Sequence, residues 1–217
     1  MSFEPKLNTL PDQQLALWPE LAQVPETFVL YGGTALALRL GHRTSVDFDF
    51  FSSDPVHPAD LQRKVSFLAG ATVLQEEAGA LTVLVNRGGP VKVSFFGPIG
   101  FGRIGVPDQA LSGRLHVASL LDLAGTKVKA LLQRVESKDY LDIAALLRAG
   151  IALEQILAAA RTLFGDAFNP LVAQKTLSYF EGGDLEQIDP ATRALLTRES
   201  LRDFELPLIP KAAQRLD

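Results

Sequence analysis

The residues with the clearest chemical potential are two aspartates, Asp47 and Asp49, in a stretch where apolar and acidic residues alternate, VDFDFFSS (46–53). Alternation with a period of two predicts a half-buried strand, on which both carboxylates project from the same face. Neighbouring carboxylates repel each other unless a proton or a cation lies between them. Magnesium meets this requirement, because it takes oxygen ligands, usually one or two carboxylates together with water and phosphate oxygens. For an isolated pair, a strand with a solvated acidic face is the simpler alternative.

A glycine turn precedes the aspartates. Gly32 and Gly33 separate a predicted strand (28–31) from a predicted helix that begins near Thr34. Bare backbone at glycine lets N–H groups approach an anion, and the helix adds the positive end of its dipole. Thr34 either caps this helix or donates its hydroxyl to a phosphate. A tight strand-to-helix turn explains the glycines alone equally well, but a phosphate cradle followed by a carboxylate pair is what nucleotidyl transfer requires.

These motifs together resemble the signature of a known family. The stretch GGTALALRLGHRTSVDFDFF (32–51) is similar to that of the nucleotidyltransferase toxins of the AbiEii/AbiGii group, within the DNA polymerase β-like nucleotidyltransferase superfamily. Members typically show a Gly-Gly-Ser/Thr turn, a Gly-His-Arg and an Asp-x-Asp followed by two aromatic residues. The resemblance implies that Asp47 and Asp49 are catalytic and hold Mg²⁺. The nucleotide-binding candidates are Gly32, Gly33, Thr34 and Arg43. A salt bridge to one of the aspartates is an equal alternative for the arginine.

The resemblance extends to VASLLDLAGTKVKALLQRVESKDYLDIAALL (117–147), which is similar to the family's lysine-bearing helix followed by Lys-Asp-x-x-Asp. It implies that Lys127 and Asp142 belong to the catalytic residues, with Lys138 and Asp139 as additional candidates. Asp139 and Asp142 lie three residues apart and so share a helix face. The alternative is structural: carboxylates in a first turn stabilise a helix N-terminus, with a capping serine before them, and Lys127 is an ordinary solvated lysine.

One position departs from the family pattern. Where members usually read Val-Lys-Val-Asp-Phe, this chain has VKVSF (91–95), so Ser94 replaces a third carboxylate. Lys92 and Ser94 share one face of the predicted strand, and both are additional site candidates if that strand neighbours the one with the aspartates. A serine hydroxyl is a weak, neutral ligand. In the superfamily the third acid is thought to activate the attacking hydroxyl and bind a second metal. Its replacement argues against a two-metal mechanism and leaves a single-metal site intact.

The elements around these residues change character along the chain. Before residue 113 helices and strands alternate, whereas the pattern after Ser119 is almost wholly helical. We therefore predict an α+β protein, in which a mixed-sheet nucleotidyltransferase-like domain (1–112) precedes an all-helical domain (113–217). The predicted strands are 28–31, 46–53, 71–77, 81–86 and 91–96. The predicted helices are 8–24 with Thr9 as its cap, 34–40, 59–68, 119–133, 137–148, 153–164, 169–180 and 190–203.

The composition excludes several classes of protein. The chain has 217 residues and no cysteine, which excludes disulfide scaffolds, zinc ribbons, iron–sulfur proteins and thiol nucleophiles. Carboxylates are therefore the plausible charged ligands for a metal. The net charge of −4 argues against a broad nucleic-acid-coating surface. No apolar run reaches the roughly 18 residues of a membrane-spanning helix, and the N-terminus lacks a signal-peptide pattern, so we expect a cytoplasmic protein without membrane association.

The leading hypothesis is an enzyme that transfers a nucleotidyl group from a nucleoside triphosphate to an acceptor, with Mg²⁺ as cofactor. The resemblance implies an acceptor such as the 3′ end of a tRNA, and a toxin with a cognate antitoxin as its partner. The alternative, favoured by Ser94, is a degenerate homologue that keeps the fold and acts as a binding or interaction protein.

Overall fold

The computed structural model describes residues 1–111 and 115–217. The chain forms two compact units: the first comprises Met1–Ser119 with Ala212–Asp217, and the second comprises Leu120–Lys211. The predicted boundary between residues 112 and 113 lies outside the described residues. The first unit carries the sheet and the second is helical, which confirms the predicted α+β class.

Among the described residues, the first unit contains one eight-stranded sheet, with strands β1 to β8 in chain order. Their bounds are Ser2–Phe3, Phe28–Tyr31, Asp47–Ser52, Thr72–Glu77, Ala80–Asn86, Pro90–Phe96, Asp108–Ala110 and Leu115–Val117. The order across the sheet is β1-β7-β8-β2-β3-β6-β5-β4. The sheet is mixed, because β3 runs antiparallel to β2 and parallel to β6, while β4, β5 and β6 form an antiparallel meander.

The register of the central strands places the predicted site residues side by side. Strand β3 pairs with β6 so that Asp47 lies opposite Lys92 and Asp49 opposite Ser94. On its other side, Asp49 lies opposite Tyr31 of β2. Directly opposite residues on neighbouring strands project from the same face and lie about 5 Å apart. The expectation that Lys92 and Ser94 share a face with the aspartates is therefore confirmed.

The opposite face of β3 and β6 belongs to the hydrophobic core. Phe48, Phe50, Val93 and Phe95 are fully buried there. The rings of Phe50 and Phe95 stack with centroids 5.2 Å apart. Complete burial of each such side chain contributes about 1.5–3 kcal/mol, and it fixes the register because a shift by one residue would bury the aspartates instead.

Three α-helices occur among the described residues of the first unit: α1 (Asp12–Leu17), α2 (Gly32–Leu40) and α3 (Pro58–Lys64). The predicted helix over 8–24 is wrong in extent, since α1 is flanked by two 3-10 turns. Pro19 lies at the start of the second turn and lacks the amide donor that a continuing α-helix requires. Thr9 does not cap α1, because its hydroxyl donates to the carbonyl of Lys6 at 2.7 Å.

The C-terminal residues return to the first unit. Leu216 is fully buried, and its amide donates to the hydroxyl of Ser53 at 2.9 Å. Arg215 binds both carboxylate oxygens of Asp54 at 3.1 Å, and this hydrogen bonding raises the pKa of the guanidinium. A bidentate arginine–carboxylate pair and a buried leucine anchor the segment.

Among its described residues the second unit contains five α-helices: α4 (Leu120–Leu131), α5 (Ser137–Arg148), α6 (Leu153–Phe164), α7 (Pro170–Thr176) and α8 (Pro190–Ser200). All five match predicted helices within a few residues. Helices α4 and α6 approach closely at Gly125, where an added Cβ would lie 3.0 Å from backbone atoms of Ala159 and Ala160. Within the described part of the chain, no single helix combines the length and apolar character of a membrane span; α5 with Leu153–Ala167 does so only as a pair bent by 119°.

Helix α5 is capped from a distant part of the chain. Ser137, the serine predicted to cap it, instead donates its amide and hydroxyl to the carboxylate of Asp184 at 2.6 and 2.7 Å. The two hydrogen bonds hold the pKa of Asp184 below its ordinary value. A carboxylate at the helix N-terminus also interacts favourably with the helix dipole.

We expect Asp184→Asn to lower the free energy of unfolding by about 1 kcal/mol at pH 7, the usual effect of losing an N-terminal cap. Because the folded-state pKa of Asp184 is depressed, its contribution is complete above the unfolded pKa of about 3.9 and disappears as the pH falls below that value. Urea unfolding at pH 7 and at pH 3 measures both effects. The exposed neighbour Glu186 provides the control Glu186→Gln; equal losses in the two variants would contradict the capping role.

Candidate active site

The carboxylate pair lies on the partly exposed face of β3. Asp47 and Asp49 are both half-buried, as the period-two pattern predicts. The ammonium of Lys92 lies 3.2 Å from Oδ2 of Asp47, and both side chains retain more than a third of their exposure, 41% and 36%. A pair this exposed contributes little to stability. Its effect is local, because the ammonium of Lys92 offsets the negative charge of Asp47.

The glycine turn brings the backbone against the second aspartate. Gly32 has φ +75°, and a Cβ placed there would lie 2.7 Å from Oδ2 of Asp49. A side chain at this position would therefore collide with the carboxylate, and positive φ is itself unfavourable for other residues. The first amides of α2 and the Asp49 carboxylate consequently lie next to each other. The backbone predicted to bind an anion and the carboxylate predicted to bind a metal are thus adjacent.

Arg43 covers the other glycine. A Cβ on Gly33 would lie 2.5 Å from Nη2 of Arg43 and 3.1 Å from the hydroxyl of Ser45. The same guanidinium donates to the carbonyl of Thr44 at 3.0 Å. A permanently charged guanidinium beside the N-terminus of α2 strengthens the positive potential that a phosphate would meet.

The side chain of Thr34 has a structural role. Helix α2 begins at Gly32, two residues earlier than predicted, so Thr34 lies inside the first turn and does not cap it. Its side chain is buried, donates to the carbonyl of Asp47 and lies 2.9 Å from the Ser45 hydroxyl. The hydroxyl thus ties the start of α2 to the start of β3, whereas the backbone amide of Thr34 remains the group through which it would contact a phosphate.

The donor set of this face suits one hard divalent ion. Asp47 and Asp49 supply carboxylate oxygens two residues apart on one strand, and the adjacent α2 amides suit an anionic ligand that shares the ion. Ser94, opposite Asp49, supplies only a neutral hydroxyl and is almost completely buried. Within residues 1–111 and 115–217, no group of three or more acidic or histidine side chains is arranged to hold a metal ion.

Three of the four remaining predicted residues form a buried charge network within the second unit. The ammonium of Lys127, on α4, lies 2.6 Å from Oδ2 of Asp142 and 3.4 Å from Oδ1 of Asp139, both on α5. The lysine side chain is 6% exposed and the two carboxylates are 0% exposed. Lys127 is therefore not an ordinary solvated lysine. It binds the two aspartates on the helix face that they are predicted to share.

Arg134 is a member of this network that the sequence did not single out. Its Nε and Nη2 donate to the two oxygens of Asp139 at 2.6 and 2.9 Å, and this hydrogen bonding raises the pKa of Arg134. The residue lies in the connection between α4 and α5, where no periodic pattern indicates its partner. Lys138, in contrast, is exposed and pairs with Glu136 at 2.8 Å.

Two pockets of the first unit lie elsewhere. They measure about 520 and 150 Å³ and share Pro55, Val56 and His57, which follow β3 in the chain. None of the predicted site residues lines either pocket. The carboxylate face of β3 is therefore separate from these two cavities.

A family model matches most of the chain. The model of the family described as nucleotidyl transferase AbiEii toxin, type IV TA system, matches residues 17–215. An uncharacterized protein of Aquifex aeolicus (strain VF5) is 30% identical over 157 residues, which cover 71% of this chain and 74% of that protein.

Two solved structures share the fold. A candidate nucleotidyltransferase from H. pylori superposes with a TM-score of 0.58 at 16% identity, over 89% of this chain and 92% of that one. MenT4, a nucleotidyltransferase toxin of Mycobacterium tuberculosis H37Rv, superposes with a TM-score of 0.59 at 14% identity, over 86% of this chain and 80% of its own. At these identities the likeness concerns the fold alone.

Proposed function

Because the chain belongs to the AbiEii family of nucleotidyl transferase toxins, we propose that it transfers a nucleotidyl group from a nucleoside triphosphate to an acceptor, with Mg²⁺ as cofactor. The observation that carries this proposal is the close approach of the glycine turn to the second aspartate, where a Cβ on Gly32 would lie 2.7 Å from Oδ2 of Asp49. Phosphoryl chemistry is mainly positioning and charge neutralisation, and this arrangement provides both kinds of group in one place.

Asp47 and Asp49 are the residues that would hold the ion. When bound, a divalent ion neutralises phosphate charge and orients the leaving group. The amides of Gly33 and Thr34 at the start of α2 bind the triphosphate, and Arg43 adds a permanent positive charge beside them. Lys92 lies 3.2 Å from Asp47 and supplies a further fixed cation on the same face.

The roles of the second-unit residues follow from the family resemblance. Lys127 and Asp142 are proposed to take part in the reaction, with Asp139 and Lys138 as additional members. The buried network adds a structural role, since it joins α4 to α5. A loss of activity on changing Lys127 therefore has to be separated from a loss of folding.

The acceptor proposed is an RNA, such as the 3′ end of a tRNA, and the proposed physiological role is that of a toxin neutralised by a cognate antitoxin. Incubation of the purified protein with each labelled nucleoside triphosphate, Mg²⁺ and total RNA tests this. Label transferred to an RNA band, and abolished by EDTA, is the expected result. The proposal is wrong if none of the four nucleotides labels RNA and none of them binds to the protein.

Ser94 favours a second candidate, a degenerate homologue that binds nucleotide or a partner without catalysing transfer. Asp49 lies opposite this serine, where the family pattern has a third acid. In Ser94→Asp two carboxylates would lie side by side and repel each other when no metal is bound. We therefore expect the thermal midpoint of the metal-free variant to fall by about 2–4 °C for each kcal/mol of repulsion. Mg²⁺ or Mn²⁺ should restore the midpoint, as differential scanning fluorimetry would measure.

The neutral variant Ser94→Asn is the matched control, because it keeps the size of the substituted side chain without its charge. An identical metal response in the Asp and Asn variants would show that position 94 does not face the ion. In the RNA-labelling assay, activity of the wild type rejects the degenerate reading, whereas activity that emerges only in Ser94→Asp supports it.

A further inference from the structure

Aromatic side chains continue the row of polar site residues along the same face of the sheet. On β3, Phe51 follows Asp47 and Asp49 with the period of two, and on β6 Phe96 follows Lys92 and Ser94 in the same way. The two phenylalanines are opposite each other in the register. Their face is therefore acidic at one end and aromatic at the other.

Two further rings complete this cluster. Tyr31, opposite Asp49, stacks on Phe51 with centroids 5.0 Å apart and an interplanar angle of 16°. Phe101, in the connection after β6, approaches Tyr31 and Phe51 edge-on at 5.9 and 6.3 Å. Phe96 contacts Phe51 edge-on at 5.7 Å. The aromatic cluster Tyr31, Phe51, Phe96 and Phe101 thus forms one connected surface.

The exposure of this cluster distinguishes it from the core. Tyr31 is buried, but Phe51, Phe96 and Phe101 are only half-buried, whereas Phe50 and Phe95 on the opposite face are completely buried. A cluster that served packing alone would gain by complete burial. Three partly exposed rings beside a charged site instead offer aromatic surface to a ligand.

We propose that Phe51, Phe96 and Phe101 form a stacking surface for a nucleobase, namely the base of the nucleotide whose phosphates lie at the carboxylates. This inference rests on the proposed nucleotidyl transfer and adds a base subsite to it. Phe51 follows Asp49 by two residues, about 6.6 Å along the strand, a step that the ribose of a single nucleotide bridges. Phenylalanine carries no hydrogen-bonding group, so the surface binds the ring and not its edge.

Phe101 is the residue that tests this surface most cleanly. It lies outside the strands, so that Phe101→Leu keeps apolar volume and leaves the sheet register intact, while the aromatic face is lost. Phe51→Leu is the second variant. Phe3, a partly exposed phenylalanine on the edge strand β1, provides the control Phe3→Leu.

The measurement is isothermal titration with Mg²⁺ present, using a nucleoside triphosphate and, separately, inorganic tripolyphosphate. We expect the wild type to bind the nucleotide about five- to a hundredfold more tightly than tripolyphosphate. Phe101→Leu and Phe51→Leu should lose at least fivefold in nucleotide affinity and leave tripolyphosphate affinity unchanged, and Phe3→Leu should change neither. Unchanged tripolyphosphate binding also shows that the variants are folded.

Three results would overturn the proposal in distinguishable ways. Equal affinity of the wild type for nucleotide and tripolyphosphate would reject the base subsite and leave the proposed function standing. Weaker RNA binding with unchanged nucleotide binding in Phe101→Leu would assign the surface to the acceptor instead. Absence of binding by both ligands would reject the proposed function and the subsite with it.

Discussion

Asp49→Asn is expected to lower the rate of nucleotidyl transfer about 10²–10³-fold, the usual effect of removing one electrostatic group that stabilises a transition state. The amide keeps the size of the carboxylate beside Gly32 and removes its charge, so the fold should be retained and only binding of the ion should fail. The rate of label transfer from nucleotide to RNA, with the thermal midpoint measured in parallel, gives both quantities.

Asp47→Asn should also lose activity, and it additionally leaves the ammonium of Lys92 without the carboxylate that lies 3.2 Å away. Glu26 is an exposed acid that precedes β2, and Glu26→Gln is the matched control for the loss of one negative charge. Wild-type rates in both aspartate variants would contradict the assignment of the carboxylate pair to the active site.

Lys127→Met is expected to destabilise the protein by about 3–5 kcal/mol, because it leaves buried carboxylates without their cation. Asp142 is 0% exposed and lies 2.6 Å from the ammonium, so its charge would be buried without this cation. Asp139 keeps Arg134 as a partner and should be affected less. Equilibrium unfolding in urea measures the loss.

Two further variants distinguish the loss of this buried ion pair from the effect of removing any lysine side chain. Lys138→Met, eleven positions further along the chain and paired only at the surface, should change stability by less than about 1 kcal/mol. The double variant Lys127→Met/Asp142→Asn should recover part of the loss, since the uncompensated charge is then gone. Equal stability of Lys127→Met and the wild type would show that the network does not support the helices.

Much of the candidate site could be predicted from local patterns in the sequence. Alternation over VDFDFF fixed the shared face of Asp47 and Asp49, because the phenylalanines between them must be buried. The same rule applied to VKVSFF predicts that Lys92 and Ser94 share one face of their own strand, and the pairing of β3 with β6 makes this the face of the aspartates. The family resemblance over 32–51 is confirmed by the family model, which matches residues 17–215.

The contacts that no local pattern specifies could not be predicted. Asp184 and Ser137 lie 47 residues apart, and their hydrogen bonds depend on tertiary packing alone. Thr34 reads as a cap or a phosphate ligand in the sequence, yet it is buried against the carbonyl of Asp47 once α2 packs on β3. Phe50 and Phe51 belong to the family signature, but the contact between Phe51 and Phe101 depends on the course of the chain after β6.

Titration of a nucleoside triphosphate into the wild type and Asp49→Asn, each with Mg²⁺ and each with EDTA, is the most direct measurement of whether the carboxylate face is a metal–nucleotide site. We predict one bound nucleotide per chain in the wild type with Mg²⁺, and at least tenfold weaker binding in EDTA or in the variant. Affinity that is the same in all four titrations, or absent from all four, would contradict the assignment.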